Sequence, residues 1–183
     1  MKTASIVAAL IATVAVAQAE VTPYISISGG YAIANDIDWD AGGGRKGTEK
    51  FDDGFTVEGA FGLGFGAFRA ELAGGYQLND FEDSGGDMAL IIGMLNGYFD
   101  FHNDSPLTPY ILAGIGVINA EVDSEDDTFM GGQVGAGVGY AISDSFILDL
   151  KYKYLMADDA DFGGVDVEDI GGHQIQLGAR FLF

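Results

Sequence analysis

The residues of this 183-residue chain that could do chemistry are few, and most fall short of a reacting constellation. There is no cysteine, and the two histidines are His102 and His173. A hydrolytic site would need a histidine beside a serine and a carboxylate. Ser84 and Ser124 stand in acidic segments, and no serine lies on the last strand near His173. The chain therefore reads as a non-enzyme. The run Asp36-Ile37-Asp38-Trp39-Asp40 opens like a calcium loop, but Ala41 and Gly47 occupy the places of the central glycine and the terminal glutamate. The cluster from Glu121 to Asp127 has no defined ligand spacing. Gly131, Gly132, Gly135, Gly137 and Gly139 form no G-x-G-x-x-G ahead of a helix, and no Lys-Ser or Lys-Thr pair follows them. No metal and no cofactor is expected.

The remaining chemistry is ionic. Of the eight Lys and Arg residues, Lys2 is at the amino terminus, and Arg45, Lys46 and Lys50 fall in one acidic segment. Arg69, Lys151, Lys153 and Arg180 instead interrupt otherwise apolar stretches. Their surroundings alternate with period two, as a strand with one apolar face does. From Gly172 to the end, His173, Ile175, Leu177, Ala179, Phe181 and Phe183 share one face, with Gln174, Gln176, Gly178, Arg180 and Leu182 on the other. Phe55, Val57, Gly59, Phe61 and Leu63 oppose Thr56, Glu58, Ala60 and Gly62; Phe68, Ala70, Leu72, Gly74 and Tyr76 oppose Arg69, Glu71, Ala73, Gly75 and Gln77. Phe146, Leu148, Leu150, Tyr152, Tyr154 and Met156 oppose Asp149, Lys151 and Lys153. Buried charges are tolerable only when paired and hydrogen-bonded. Glu58, Arg69, Glu71, Asp149, Lys151, Lys153 and Arg180 are thus expected to form an ionic network facing inward, the rival reading being a charged pore lining.

Such faces require strands, and eight are expected, at 22–31, 54–63, 66–78, 88–100, 108–119, 129–139, 145–156 and 171–183. Lengths of 10 to 13 residues suit a tilted bilayer crossing better than a soluble sandwich. Tight connectors near Gly64-Phe65, at 101–107 and at 140–144 alternate with acidic ones. The segments 32–52, 79–87, 120–128 and 157–169 hold 20 of the 28 acidic residues. Hairpin connection throughout gives an all-β, eight-stranded antiparallel up-and-down transmembrane β-barrel, with both termini at the short-turn, periplasmic end. Aromatic residues at strand ends, including Tyr24, Tyr110, Phe129 and Tyr154, are expected in two interfacial belts. Inward glycines such as Gly62, Gly75 and Gly178 are expected to make room for long neighbours.

The amino terminus fits export: a basic start at Lys2, an apolar run from Ile6 to Val16, and Ala17-Gln18-Ala19 as a small-x-small cleavage signal. Residues 1–19 are accordingly expected to be a signal peptide and 20–183 the barrel domain. The net charge of −20 argues against a nucleic-acid partner. A lipocalin-like soluble carrier, also an eight-stranded meander, would need apolar residues inside.

The opening Thr22-Pro23-Tyr24-Ile25 with Gly29-Gly30-Tyr31, the stretch from Thr108 to Val117, and the terminal run from Gln176 to Phe183 resemble the eight-stranded opacity-protein and outer-membrane-protein-A-like barrels of Gram-negative bacteria. The resemblance implies an outer-membrane barrel inserted by the barrel-assembly machinery, with Phe181 and Phe183 in the aromatic-terminated strand that serves as the assembly signal. It further implies contact with outer-membrane lipid and lipopolysaccharide, and an extracellular ligand for the loops. The expected function is that of a monomeric structural or surface-interaction barrel with acidic loops outside. The alternative is a narrow porin for small solutes.

Overall fold

The structure, a computed structural model, describes residues 20–34, 37–40, 46–49, 54–80, 87–122, 125–157, 160–161, 166–168 and 171–183. The signal-peptide expectation for 1–19 lies outside the described residues, as does part of each acidic segment. Twelve strands follow one another: β1 (Val21–Ala34), β2 (Ile37–Asp40), β3 (Lys46–Glu49), β4 (Gly54–Phe65), β5 (Phe68–Asp80), β6 (Asp87–Asp100), β7 (Leu107–Val122), β8 (Glu125–Ser143), β9 (Phe146–Ala157), β10 (Ala160–Asp161), β11 (Asp166–Glu168) and β12 (Gly171–Leu182).

Eight of them close an antiparallel barrel in the order β1-β12-β9-β8-β7-β6-β5-β4. Closure is what a membrane-crossing sheet requires, because an open edge in hydrocarbon would leave backbone groups without partners. The barrel strands run past the apolar stretches expected from sequence. β8 begins at Glu125 rather than Phe129, since hydrophobic alternation marks only the crossing while ladder hydrogen bonds continue into polar sequence. Three short turns define one end: Gly66-Ala67, residues 101–106, and Asp144-Ser145. Gly66 has φ of 65°, a left-handed conformation suited to glycine. Neighbouring hairpins are stitched at this rim, with Asp100 N–H donating to Ala67 O at 2.8 Å and Phe183 N–H donating to Pro23 O at 3.0 Å.

The acidic segments at the other end are not all irregular. Strands from the first and last of them form a four-stranded sheet, β10-β11-β2-β3, in place of the plain loops expected. Its register is that of the barrel carried onward. Ala32 faces Gly54, and five residues further on Ile37 faces Glu49; Ala34 faces Gly172, and six further on Asp40 faces Asp166. Met156 faces Gly171, and four further on Ala160 faces Val167. The pairing offsets of the small sheet are thus those of the β1–β4, β1–β12 and β9–β12 ladders.

The period-two pattern sets the two surfaces. Outward positions are large and apolar, with Ile27, Leu72, Ile115 and Leu177 each about two-thirds exposed. Among the acidic residues whose burial is described, the exposed ones are Glu20, Asp104 and Asp144, all outside the strands. The interior is only partly polar. Leu90, Ile92, Met94, Ile118, Ala120 and Leu155 form a buried apolar cluster on β6, β7 and β9, with Phe129 packed against it. The stretch from Met88 to Leu95 is apolar on both faces, so its sequence carries no alternation.

Inward bulk is matched by inward glycine. A Cβ on Gly62 would lie 2.1 Å from the Tyr24 ring, whereas one on outward Gly74 would meet nothing within 4 Å. Gly62→Ala should therefore cost about 1–3 kcal/mol in reversible urea unfolding, as overpacking of a filled core does, while Gly74→Ala stays near neutral.

Candidate functional site

Antiparallel pairing brings residues from distant parts of the chain together in the lumen. The hairpin of β4 and β5 brings in Glu58, Arg69 and Glu71, β6 adds Asn96, Tyr98 and Asp100, and β9 and β12 add Asp149, Lys151, Lys153 and Arg180. β1 lies between β4 and β12 and contributes Tyr24.

All seven charged residues singled out in the sequence are buried. Glu58 joins two cations: Lys151 Nζ lies 2.7 Å from Oε1 and Lys153 Nζ lies 2.5 Å from Oε2. Arg180 grips Asp149 with two parallel bonds, Nε to Oδ2 at 3.1 Å and Nη2 to Oδ1 at 2.9 Å. Arg69 has a partner that sequence reasoning missed. Its Nε and Nη2 donate to Asp100 at 2.8 and 2.9 Å, and its guanidinium lies 4.1 Å from the Tyr98 ring centroid. Asp100 ends a strand next to an exposed turn, so nothing in the alternation marks it as interior.

Glu71 is held mainly by neutral donors. Tyr98 donates to Oε1 at 2.6 Å, Tyr24 donates to Oε2 at 3.0 Å, and Asn96 Nδ2 donates to Oε1 at 3.4 Å. Tyr24 and Tyr110 are therefore not members of an interfacial belt. Both are buried in the lumen beside Arg69, and Phe129 likewise packs inward. An aromatic near a strand end satisfies belt and lumen alike; for Tyr24, shared parity with Ser26 and Ser28 against Ile25 and Ile27 is the signal that could tell them apart. Phe181 and Phe183 are exposed on the outer wall, Phe181 with its ring 4.9 Å from Phe146.

Beyond the ions, toward the long-loop end, an amide ladder continues the filling. Ser28 Oγ donates to Gln176, Gln176 to Gln174, Gln174 to Gln77 and Gln77 to Asn79, at 2.6 to 3.1 Å. Among the described residues, no buried side-chain nitrogen or oxygen lacks a partner.

Eight charged side chains are buried among the described residues: four basic, Arg69, Lys151, Lys153 and Arg180, and four acidic, Glu58, Glu71, Asp100 and Asp149. Among the described residues, the buried charges thus balance. The cavity bordered by Arg69, Glu71, Asp149, Lys151 and Arg180 has a volume of about 20 Å³, room for about one water. A wider vestibule of about 390 Å³ opens at the short-turn end, lined by Glu20, Tyr24, Asp100, His102 and Arg180. His102 is in the exposed turn, and His173 lies on the outer wall, its Nδ1 2.7 Å from the Tyr152 hydroxyl. The two histidines are not brought together, and neither joins a serine and a carboxylate in the described residues. Among those residues, no group of His, Asp or Glu is arranged to hold a metal ion.

Removing Asp100 would strand Arg69 in this site. Asp100→Ala should lower unfolding free energy in vesicles by about 3–5 kcal/mol, and the double variant with Arg69→Met should recover most of that loss, because it removes both charges together.

The family described as outer membrane protein beta-barrel domain matches residues 4–183, and the chain belongs to it. Outer membrane protein PagN of Salmonella typhimurium is 37% identical over 79 residues, 35% of this chain and 33% of the relative. Major surface antigen 4 of Anaplasma marginale is 30% identical over 106 residues, 49% of this chain and 38% of the relative. The matched segments thus span only about a third of the length of these curated relatives. Neisserial surface protein A has the same fold, with a TM-score of 0.70 and 21% identity, over 88% of this chain and 97% of that one. OprG of Pseudomonas aeruginosa superposes with a TM-score of 0.57 and 17% identity, over 90% of this chain and 98% of that one.

Proposed function

We propose, from membership of the outer membrane barrel family, that this chain is a monomeric, non-enzymatic surface-interaction barrel. Its lumen is a packed support, and its acidic loops face outward to meet a cationic partner. One observation carries this reading: the charge is segregated. Among the described residues the buried charges balance, four cations against four anions, while 20 of the 28 acidic residues fall in the four segments between barrel strands. The four acidic segments join barrel strands at the end opposite the three short turns. Short turns in such barrels are periplasmic, so both termini are assigned there and the acidic segments outside. The names of curated relatives, among them a major surface antigen, agree with presentation at the cell surface.

A cavity of about 20 Å³ among the central charges disfavours the narrow-porin alternative. Residues 1–19 fit an export signal removed before assembly. Phe181 and Phe183, on the outer wall at the end of β12, fit the strand that the barrel-assembly machinery would recognise.

Purified barrel in vesicles should retain polylysine but not polyglutamate, with retention falling as salt rises, because exposed charges are screened within roughly 10 Å at 0.1 M. Neutralising the acids between Glu121 and Asp127 should weaken that retention; equal retention of both polymers contradicts the reading. Planar-bilayer recordings should be silent, and discrete openings altered by Lys151→Met would instead establish the pore.

A further inference from the structure

The inward layer nearest the short turns is small and polar. Alternation from Tyr24, Tyr110 and Arg180 places Thr22, Thr108 and Leu182 on the lumen side of β1, β7 and β12. Thr22 pairs with Gly64 and Thr108 with Gly139, so each threonine stands beside a residue without a side chain. The layer therefore leaves space, and that space is the vestibule of about 390 Å³. Its buried side chains are Tyr24, Asp100 and Arg180, which form the floor. The volume lies within the range of sites for small organic molecules.

The floor presents both signs of charge with bonding capacity left. Arg180 commits Nε and Nη2 to Asp149, while Nη1 donates to no described residue. Because no buried side-chain nitrogen among those residues lacks a partner, Nη1 is open to a cavity that Arg180 borders. Each oxygen of Asp100 accepts one bond from Arg69 and keeps a second lone pair to offer. Tyr24 adjoins both ion pairs, with its ring centroid 5.5 Å from the Arg180 guanidinium and 5.7 Å from that of Arg69. Ile147 and Leu182 supply apolar wall, and exposed Glu20 and His102 also border the vestibule.

We propose that the vestibule binds a small zwitterion, an amino acid or short peptide, with its carboxylate on Arg180 Nη1, its ammonium on Asp100 and its side chain against Ile147 and Leu182. Charge-assisted hydrogen bonds are the strong ones, and at a buried floor they are screened little. A simple anion would meet Asp100 and Glu20 with no positive charge of its own, and a simple cation would meet the Arg180 guanidinium. A molecule carrying both charges avoids each repulsion. The inference rests on the barrel and its lumen, and is independent of the cationic partner proposed above.

The two histidines supply a reporter and a control. His102 borders the vestibule, and His173 lies on the outer wall near the long-loop end, beside Tyr152. The chain purified from membranes, with isotope-labelled histidine, is placed in lipid nanodiscs, where both ends meet solvent. It is then titrated with leucine, N-acetylleucine and leucinamide. Leucine is expected to shift the His102 resonance saturably and to leave His173 unmoved. Each blocked compound should bind about tenfold more weakly or worse, the factor that losing one charge-assisted hydrogen bond carries. Gly64→Leu should abolish the leucine shift, because a Cβ there meets nothing nearer than 3.4 Å and the longer side chain occupies the cup. No saturable shift with leucine, or equal shifts with all three compounds, overturns the proposal. Binding of N-acetylleucine as tight as that of leucine overturns the ammonium assignment, and equally tight leucinamide overturns the carboxylate assignment. The unmodified chain decides among these outcomes even if Gly64→Leu fails to fold.

Discussion

Eight charged side chains share a lumen whose central cavity has room for about one water, and outside the wall there is hydrocarbon. At the centre of the lumen little solvent is available to supply missing partners. Each charge must therefore find its counter-charge or hydrogen-bond donors across the barrel, and the strand order and register are the ones that bring those partners together. Glu58 on β4 meets Lys151 and Lys153 on β9, three strands further round, past β1 and β12. A slip of one residue in any barrel strand would turn its charges toward lipid and its apolar residues inward. Ionic pairing here is weak evidence for net stability, since desolvation offsets much of the attraction, but it is strong evidence for a unique register.

The filling also explains the composition. Twenty-nine glycines in a chain of this length are costly in conformational entropy. Several stand opposite inward bulk: Gly62 faces Tyr24, Gly137 faces Tyr110 and Gly116 faces Met94 across adjacent strands. A small barrel accommodates tyrosine and arginine only where the facing residue gives way, so small and large alternate around the interior.

Much of this was legible from residue order. Alternation in β4, β5, β9 and β12 assigned their faces because one side meets lipid and the other meets charge. It was silent in β6, where lipid outside and the Leu90–Ile92–Met94 cluster inside are both apolar. Tyr24 and Tyr110 were misplaced because a tyrosine near a strand end suits an interface as well as a lumen. The Arg69–Asp100 pair was invisible, because Asp100 borders a solvent-exposed turn and only the closed sheet brings it to Arg69. The sheet formed by β2, β3, β10 and β11 was hidden for a different reason. It joins segments more than a hundred residues apart, and acidic sequence at a loop position gives no strand signal by itself.

The central claim is that hydrocarbon touches one side of each barrel strand and the paired charges and amides of the lumen the other. The chain has no cysteine, so single cysteines can be placed at each position from Phe146 to Met156 and labelled with a fluorophore. A quencher confined to the acyl chains should then report period two: strong quenching at 148, 150 and 152, and little at 149, 151 and 153. Equal quenching along the strand, or its maximum at the positions of Asp149, Lys151 and Lys153, would contradict the account.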